Sequence, residues 1–485
     1  MNRPIPERVL RKQAVLILDI LDEVTSDVEK GLPADSTLAR IYRAHPEYGS
    51  RDRSFFSGTT FSFFRWRGWL EAIRPLAEDR RQAIVFAHLL DVTTVHPTIA
   101  LMAQEAGLPP DQLVPLGGLD LHAKSARLVQ YARTTSPGEP GGKVSDHSRP
   151  TESPHPVGRE WLSTRDLPAS GAPVEYSGQA FVASNSLPSS LLAPDWVREV
   201  VRVPDRAAPD EFMAKVFNAF QSRPPTWLRA KPESRDRVLS ILGEAGIEAI
   251  PHPRLATALA IPPGANLRGL APRLGDLIEV QDLASQAVGT ICAPAPGSSW
   301  WDACCGSGGK ALHLANVMNG RGRILATDLR ASTLDQLKRR MKSGPSFDVA
   351  ARQWDGSASP APEGSFDGVL LDAPCSGLGT WHRNPDARWR TPRERIGELA
   401  ALQTRLLLKC ASRVRPGGAL VYATCTLTRT ENEAVADAFT EGNAGFAPNR
   451  FTHPLDGTAC AGQMWIRPWD GPCNGMFVAR WTRSL

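Results

Sequence analysis

Two cysteines, Cys375 and Cys425, each follow an apolar run that predicts a buried strand of a parallel sheet. The first lies in the segment Leu-Leu-Asp-Ala-Pro-Cys-Ser-Gly and the second in Val-Tyr-Ala-Thr-Cys-Thr-Leu. Open α/β sheets bind ligands at the carboxyl ends of their strands, and neighbouring strands lie about 4.8 Å apart. The two sulfur atoms can therefore meet in one pocket, which indicates a reaction that needs two thiols without a disulfide.

A glycine-rich turn lies between a predicted strand and a predicted helix. It runs from Asp302 to Lys310 and contains Cys304, Cys305, Gly306, Ser307, Gly308 and Gly309. Such a turn lets the backbone approach a ligand closely with its amides pointing outward, and it occurs in both nucleotide and S-adenosylmethionine sites. No Gly-x-Gly-x-x-Gly occurs here, and Lys310 is followed by Ala311 rather than by Ser or Thr, which argues against NAD and ATP.

Two acids follow the next predicted strands. Asp328 ends the strand after the glycine-rich turn, where a carboxylate can bind both hydroxyls of a ribose. Asp355 follows the third strand and is a candidate acceptor for an adenine amino group. A solvated acid in a loop explains Asp355 equally well.

The elements that must position these residues alternate between strands and helices from about residue 291 onward, which predicts βαβ units and a parallel sheet. We expect strands at 300–303, 323–328, 366–372 and 476–481, with helices at 308–319 and 332–342. The patterns Thr-Pro-Arg-Glu at 391–394 and Thr-Arg-Thr-Glu at 428–431 predict capping boxes that open helices ending near residues 414 and 439. The Pro-Gly-Gly at 416–418 predicts a turn into the strand that ends at Cys425.

The chain before this region has three parts. Residues 5–130 have helical periodicity, and within them the stretch from Arg51 to Trp69 interleaves aromatic residues with arginines. These side chains could stack on bases and contact phosphates, but an amphipathic helix with a bulky core stripe is the favoured interpretation. Residues 131–175 are rich in Pro, Gly and Ser and are expected to be a linker without chemistry, and 176–290 mix short strands and helices.

Composition sets the broad class. A chain of 485 residues is expected to form two to four domains, and 42% apolar with 22% charged residues is typical of a soluble globular protein. The net charge of +5 is compatible with a polyanionic partner but does not establish one. With no membrane-spanning run and no signal peptide, we expect a cytoplasmic protein. The eight cysteines lack paired metal-ligand spacings, so we expect free thiols and no metal site.

Together these motifs resemble the RNA cytosine-C5 methyltransferases of the Nop2/Sun and RsmB type. The resemblance rests on Asp302 to Lys310, Asp328, Asp355, the Asp-Ala-Pro-Cys-Ser-Gly at 372–377 and Thr424 with Cys425. The segment from Val280 to Gln286 also matches the segment that precedes the first motif of that family, and the resemblance covers about residues 225–485. A fainter resemblance links the helical region to the NusB-like domain of RsmB-type small-subunit rRNA methyltransferases.

The resemblance implies an α/β fold. It comprises a class I Rossmann-like methyltransferase domain at 291–485, a small RRM-like α/β RNA-binding domain at 176–290, and an all-α NusB-like RNA- or protein-binding domain at 5–130. It implies S-adenosylmethionine-dependent methylation of cytosine carbon 5 in RNA, with 16S rRNA as the favoured substrate, by a monomer. The alternatives are tRNA as the substrate, or a catalytically weak RNA-binding ribosome assembly factor. Residues 5–130 could also add a protein-binding module of the antitermination-factor kind.

The resemblance also implies the role of each site residue. Cys425 is the nucleophile that adds to carbon 6 of cytosine, Cys375 promotes release of the enzyme, and Asp372 holds the N3 and amino edge of the base. The cofactor is bound by a set that shares the carboxyl edge of the sheet: Cys304, Cys305, Gly306, Ser307, Gly308, Gly309, Lys310, Asp328, Asp355 and Asp372.

Two features depart from the family or extend beyond its motifs. Gly306-Ser307 stands where the family usually has Ala-Pro, and Ala311 where it has Thr, so we expect cofactor binding to survive with altered affinity. The segment His382 to Asp386, with Arg388, Trp389 and Arg390, could clamp the RNA backbone near a flipped base. The alternative is an exposed charged loop.

Overall fold

A computed structural model of the chain describes residues 5–73, 80–108, 113–135, 186–342, 348–357, 360–362 and 364–485. Its internal contacts divide it into two compact units, one made of residues 1–18 and 66–191, the other of residues 19–65 and 192–485. Of the expected linker at 131–175, residues 136–175 lie outside the described residues. The expected domain borders stay predictions.

Helices make up the amino-terminal part of the described chain, as the periodicity of residues 5–130 predicted. The first helix buries Ile17, Leu21, Val24 and Val28 on one stripe at spacings of three and four residues. The helices are α1 Glu7–Glu29, α2 Ala34–Ala44, α3 Ser50–Ala72, α4 Arg80–Asp91, α5 Pro97–Glu105 and α6 Leu121–Thr135. The likeness of this region to a NusB domain stays a prediction.

Helix α3 carries the stretch of aromatics and arginines from Arg51 to Trp69. Phe56, Phe64, Trp66 and Trp69 are fully buried, so their rings are not open to bases. The helix is confirmed, but the expected amphipathic stripe with an arginine face is wrong, because most residues from Thr59 to Leu70 are buried, including Arg65.

A small antiparallel sheet precedes the large one. Its strands are β1 Thr226–Ala230, β2 Ile250–Pro251, β3 Ala258–Ile261 and β4 Ile278–Val280, in the order β2-β3-β1-β4. Helices α7 Pro209–Gln221 and α8 Arg235–Glu244 accompany it, and Leu228, Leu242 and Ile261 lie in its apolar cluster. The expected mixture of short strands and helices is confirmed, whereas the RRM-like character of this region stays a prediction.

A large sheet follows in the chain. The strands of this part are β5 Ser299–Asp302, β6 Arg323–Asp328, β7 Asp348–Gln353, β8 Phe366–Asp372, β9 Val414–Thr424, β10 Phe446–Pro448, β11 Phe451–Thr452, β12 Ala459–Cys460, β13 Gln463–Ile466 and β14 Met476–Arg483. The large sheet has the order β10-β14-β9-β8-β5-β6-β7, with β13 paired to β14. Strands β5 to β9 pair in parallel, and β14 runs antiparallel to β9. The chain crosses from one side of β5 to the other between β7 and β8, which opens a crevice at the carboxyl edge.

Helices pack on both faces of this sheet, as the alternating pattern predicted. Consecutive residues Trp300 and Trp301 alternate between the two faces and join different apolar clusters, which is the strand period of two. The expected α/β class with a parallel sheet is confirmed. The helices of this region are α9 Leu283–Cys292, α10 Gly309–Val317, α11 Ala331–Lys342, α12 Glu394–Ala411 and α13 Glu433–Gly442.

Three local predictions are wrong. Helix α12 begins at Glu394 with Arg393 as an uncapped N-cap, because the Thr391 hydroxyl donates to the carbonyl of Ala387 instead. Helix α13 begins at Glu433, two residues after the predicted capping box ends. Pro416 to Gly418 do not turn into a strand but lie inside β9, at a bulge where the register with β8 shifts between Phe366 and Gly368.

Candidate active site

The structure brings Cys375 and Cys425 together. Asp372, the last residue of β8, pairs with Ala423 of β9, so the loop after β8 and the loop after β9 leave the sheet side by side. The two Sγ atoms lie 3.4 Å apart, and the backbone N–H of Cys425 donates to Cys375 Sγ at 3.3 Å. This distance is far longer than a disulfide bond of about 2.05 Å, so both groups are free thiols in contact.

The pKa of Cys375 is raised well above its ordinary value. The largest cause is its hydrogen bond to Cys425, followed by burial and then by the charges of Cys425 and Glu431. Cys375 therefore keeps its proton, while either sulfur of the pair can donate the hydrogen bond between them.

A buried cation lies beside the thiols. Lys310 Nζ is 2.6 Å from Asp372 Oδ2. Burial lowers the pKa of Lys310, but Asp372, Asp302 and Cys425 outweigh that effect and raise it, so the ammonium stays charged.

Asp302, the last residue of β5, lies beneath this ion pair and is fully buried. Burial and the negative charge of Asp372 raise the pKa of Asp302 to about 7, against the opposing effect of Lys310. Asp302 can therefore hold a proton at neutral pH. Because a protonated Asp302 is uncharged, the carboxyl groups of Asp302 and Asp372 can both lie beside the single ammonium of Lys310.

Glu431 holds the two cysteine loops in register. Its Oε1 accepts from the backbone N–H of Ser376 at 2.8 Å and from Gln403 Nε2 at 3.0 Å, and its Oε2 accepts from the hydroxyls of Ser376 and Thr428. Ser376 Oγ is also 2.7 Å from Thr426 Oγ1. The carboxylate is fully buried and thus fixes the residues that follow Cys375 and Cys425.

The glycine-rich turn has the backbone that a closely approaching ligand needs. Gly306 has φ 55° and Gly308 has φ 86°, both in the left-handed region. A side chain at Gly308 would place its Cβ 2.3 Å from Leu337 Cδ1. Ser307 is held by its carbonyl, which accepts from Arg340 at 2.5 Å. The departure from Ala-Pro thus puts a glycine where this turn takes a left-handed conformation.

Asp328 and Asp355 lie at the carboxyl ends of neighbouring strands. Asp328 Oδ2 accepts from the N–H of Gly306, while its Oδ1 accepts from Arg330 and from Thr333 Oγ1. Burial acts to raise the pKa of Asp328, but the hydrogen bonds from Arg330 and Thr333 hold it below its usual value. Asp355 is exposed and accepts from Ser357, which lowers its pKa.

Cys304 and Cys305 follow β5 and face the interior. Burial raises the pKa of both thiols, and the charge of Asp302 adds to the effect. These cysteines are therefore poor nucleophiles, and their place in the site is as part of the turn.

The segment from His382 to Arg390 is mostly buried, so its interpretation as an exposed charged loop is wrong, whereas its contact with RNA stays a prediction. Arg388 is fully buried and donates to the carbonyls of Leu192, Phe220 and Trp381. His382 is also buried, and its carbonyl accepts from the buried Arg65. The guanidinium groups of Arg388 and Arg65 thus donate to backbone carbonyls inside the protein instead of facing solvent.

Arg383 and Arg390 are partly exposed, but they too have internal partners. Arg383 donates to Asp282 Oδ2 at 3.1 Å, and Arg390 to Asp386 Oδ2 at 3.2 Å. Asp386 also accepts from the backbone N–H of Ala34 at 3.1 Å. Replacing these arginines should disturb the fold before it alters the salt dependence of RNA binding.

Sequence reasoning missed three contributors to the site: the ion pair of Lys310 with Asp372, the protonation of Asp302, and the carboxylate of Glu431. Glu431 did carry a signal, since its spacing from Thr428 has the Thr-x-x-Glu form, and their side chains do bond to each other. In the structure, the Glu431 carboxylate also joins the loop after Cys375 to the loop after Cys425, although these loops are far apart in sequence.

Within the part of the chain that the structure describes, there is no group of three or more His, Cys, Asp or Glu side chains that could hold a metal ion. The same residues include no helix with the length and apolar character needed to cross a membrane.

Comparison with known proteins identifies the family. The sequence profile of the 16S rRNA methyltransferase RsmB/F family matches residues 289–482. A Synechocystis sp. protein named Probable ribosomal RNA small subunit methyltransferase B is 33% identical over 318 residues, which cover 62% of this chain and 68% of that protein. The chain belongs to the RsmB/F family.

Other relatives agree with this. The Ribosomal RNA small subunit methyltransferase B of Escherichia coli is 33% identical over 264 residues, which cover 54% of this chain and 60% of that protein. The crystal structure of PH0851 superposes with a TM-score of 0.68 at 21% identity, covering 99% of this chain and 100% of the other. That likeness concerns the fold alone, and it supports the Rossmann-like α/β architecture.

Membership of the RsmB/F family confirms the expected enzyme class, an S-adenosylmethionine-dependent RNA methyltransferase. The residues at the carboxyl edge suit that cofactor, because the glycine-rich turn leaves space for close approach and Asp328 presents a carboxylate at the end of β6. The individual roles of the site residues are matters for proposal.

Proposed function

We propose that this RsmB/F-family chain methylates carbon 5 of cytosine in 16S rRNA. The observation that carries the proposal is the 3.4 Å contact between Cys375 Sγ and Cys425 Sγ at the carboxyl edge of the sheet. Carbon 5 of cytosine is a poor nucleophile until a thiolate adds at carbon 6, and the enzyme must afterwards be released from that adduct. Two thiols in one pocket provide one group for each task.

In this proposal Cys425 is the nucleophile. The reacting form is its thiolate, and its sulfur is in contact with Cys375 Sγ. The thiolate forms a bond to carbon 6, and the electron pair of the carbon 5–carbon 6 double bond moves so that carbon 5 becomes nucleophilic. The cofactor supplies, when bound, the methyl group that carbon 5 receives.

Release requires the carbon 5 proton to leave. Once a solvent water molecule accepts that proton, the electron pair re-forms the double bond and expels Cys425 as a thiolate. Cys375 is the group in contact with the departing sulfur, so we assign it to this step. Its raised pKa keeps the proton on Cys375, and its thiol can donate a hydrogen bond that stabilises the thiolate of Cys425 as the bond to carbon 6 breaks.

Asp372 orients the base. Its carboxylate is partly exposed, at 27% of the side chain, while one oxygen is held by Lys310. A carboxylate fixed in this way can accept from the amino group of cytosine at the edge that includes N3. We assign the cofactor to the glycine-rich turn with Asp328, with Asp355 at the rim near the adenine.

The favoured RNA is 16S rRNA because the matched relatives are named for the small ribosomal subunit. The matched segment covers 60% to 68% of the first relatives, so the substrate of the whole chain belongs to this proposal. We further propose that residues 176–290 and 5–130 form separate RNA- or protein-binding domains, and that the enzyme acts in the cytoplasm as a monomer.

Bisulfite mapping tests this function. RNA from cells with and without the gene is sequenced after bisulfite treatment, and the purified enzyme is then given unmodified 16S rRNA with the cofactor. We expect one or a few cytosines in 16S rRNA to lose protection in the deletion strain and to regain it in vitro. Protection lost only in tRNA would favour the alternative substrate, and no change in any RNA would favour an assembly factor.

A further inference from the structure

A small pocket lies beside the loop that follows Cys425. Its volume is about 110 Å³, of the same order as the roughly 150 Å³ apolar cavity that is known to accept benzene in another protein. It is formed by the segment before α7, by α7, by the start of α13 and by the chain after β13. Its lining includes Arg202, Phe212, Leu427, Glu433, Arg467 and Trp469.

The pocket walls are aromatic. The ring of Trp469 meets the ring of Phe212 edge to face, with centroids 5.4 Å apart and an angle of 79° between the planes. Trp465, also in the lining, donates its indole N–H to Glu433 Oε1 at 2.9 Å and is fixed by that bond. Flat rigid walls of this kind suit a flat ring system better than a flexible chain.

A carboxylate oxygen in the pocket has no partner. Glu433 Oε2 is buried and accepts no hydrogen bond from any residue that the structure describes, while Glu433 Oε1 is used by Trp465. A buried acceptor left unsatisfied is destabilising, and such groups in native proteins usually have a ligand or water to satisfy them. Glu433 Oε2 is therefore positioned to accept from an N–H donor that enters the pocket.

Two arginine side chains, Arg202 and Arg467, lie close to this carboxylate and to the aromatic walls of the pocket. Arg202 Nε is 3.4 Å from Glu433 Oε1, and the guanidinium of Arg467 lies 6.0 Å from the centroid of the Phe212 ring. Both side chains line the pocket. Positive charges around an aromatic slot match a ring that is attached to a phosphodiester backbone.

The pocket wall continues directly from the nucleophile. Leu427 is two residues after Cys425, so their Cα atoms are at most about 7 Å apart. The carbonyl of Leu427 accepts from the backbone N–H of Arg202 at 3.0 Å, which ties the cysteine loop to the pocket. A nucleotide next to the cytosine held at Cys425 is thus within reach of the pocket.

We propose that this pocket binds a nucleobase of the RNA adjacent to the target cytosine, with its ring against Trp469 and an exocyclic amino group donating to Glu433 Oε2. The inference rests on the proposed function, since it takes cytosine at Cys425 as its starting point. It makes the pocket a determinant of which cytosine is methylated. The bases it accepts are those with an amino group, and uracil is disfavoured because it lacks one.

An abasic scan tests the proposal. The probe is a short synthetic RNA centred on the cytosine that the wild-type enzyme methylates, with single abasic nucleotides at each position on either side. We expect one flanking position at which loss of the base weakens binding by wild type roughly tenfold, within the range known for stacking on an aromatic side chain. In Trp469→Ala the intact RNA should bind correspondingly more weakly, and the penalty at that position should vanish.

Three further variants complete the test. Glu433→Gln should reduce the preference for an amino-bearing base over uracil at the sensitive position, and Trp469→Phe should restore part of the affinity. Glu441→Gln changes an exposed acid on the same helix and should behave as wild type. An abasic penalty that persists unchanged in Trp469→Ala would overturn the proposal, as would its absence at every flanking position. A wild-type enzyme that methylates no cytosine would overturn the proposed function and this inference together.

Discussion

Lys310 Nζ lies 2.6 Å from Asp372 Oδ2, which joins the glycine-rich turn after β5 to the end of β8 through a partly buried ion pair. This pair connects the two halves of the site, because Lys310 belongs to the turn proposed for the cofactor and Asp372 is the residue proposed to hold the base. Removing the cation would leave the carboxylate of Asp372 without its counter-charge, next to the carboxyl of the buried Asp302.

We predict that Lys310→Met lowers the single-turnover rate of methyl transfer at least a hundredfold, because the thiolate of Cys425 and the carboxylate of Asp372 both lose their counter-charge. Rapid-quench measurement with radiolabelled cofactor provides the rate. Lys338→Met removes an exposed lysine from α11 and should keep the wild-type rate. A Lys310→Met rate within threefold of wild type would remove Lys310 from the mechanism.

Gly308→Ala should weaken cofactor binding at least tenfold. The added Cβ would lie 2.3 Å from Leu337 Cδ1, and alanine is strained at φ 86°. Calorimetric titration with S-adenosylmethionine measures the change. Gly442→Ala is the matched control, since a Cβ there would meet no atom of the described residues within 4 Å beyond its own helix, and its φ is not positive. Equal affinity in Gly308→Ala and wild type would place the cofactor elsewhere.

Glu431→Ala should lower the free energy of unfolding by about 3 kcal/mol, because it leaves several buried donors without an acceptor. Urea denaturation followed by tryptophan fluorescence measures this. Glu441→Ala, an exposed change on α13, should stay within about 0.5 kcal/mol of wild type. If the two variants unfold at the same urea concentration, the Glu431 network contributes no stability.

Acidification below pH 6.5 should remove the stability that the neutral His382 contributes, while the raised pKa of the buried Asp302 acts in the opposite direction. Burial lowers the pKa of His382 to about 3, so between pH 6.5 and 3 the unfolded chain binds a proton that the folded chain does not. Unfolding is then favoured as pH falls, by about 2 kcal/mol between pH 6.5 and 5 for this one group. Urea denaturation at a series of pH values measures the slope. His382→Gln should lose that part of the slope, whereas His122→Gln, which changes an exposed residue, should retain it.

The elements and the thiol pair could be predicted because their signals are local. Apolar runs before Cys375 and Cys425 mark β8 and β9, and parallel strands that are neighbours bring their carboxyl ends together. The strand at 323–328 and the one at 366–372 were predicted with their observed bounds. Both follow from periodicity, which depends only on residues within the strand.

The remaining features depend on contacts between residues far apart in sequence. Glu431 has the spacing of a capping box, but its carboxylate bonds to Ser376 on another loop. Arg388 looks like a surface charge, yet it is buried because three backbone carbonyls satisfy it. Pro416 has the composition of a turn and is accommodated by a bulge in β9. None of these partners can be read from the local sequence.

The most direct test of the two-thiol mechanism compares the two cysteine variants by denaturing electrophoresis with labelled 16S rRNA and S-adenosylmethionine. We predict that Cys425→Ala forms no covalent adduct and transfers no methyl group, whereas Cys375→Ala accumulates a protein–RNA adduct that survives denaturation. Cys410→Ala, which changes a buried cysteine away from the pair, should turn over without such an accumulation. Methyl transfer by Cys425→Ala at the wild-type rate would contradict the assignment of Cys425 as the nucleophile.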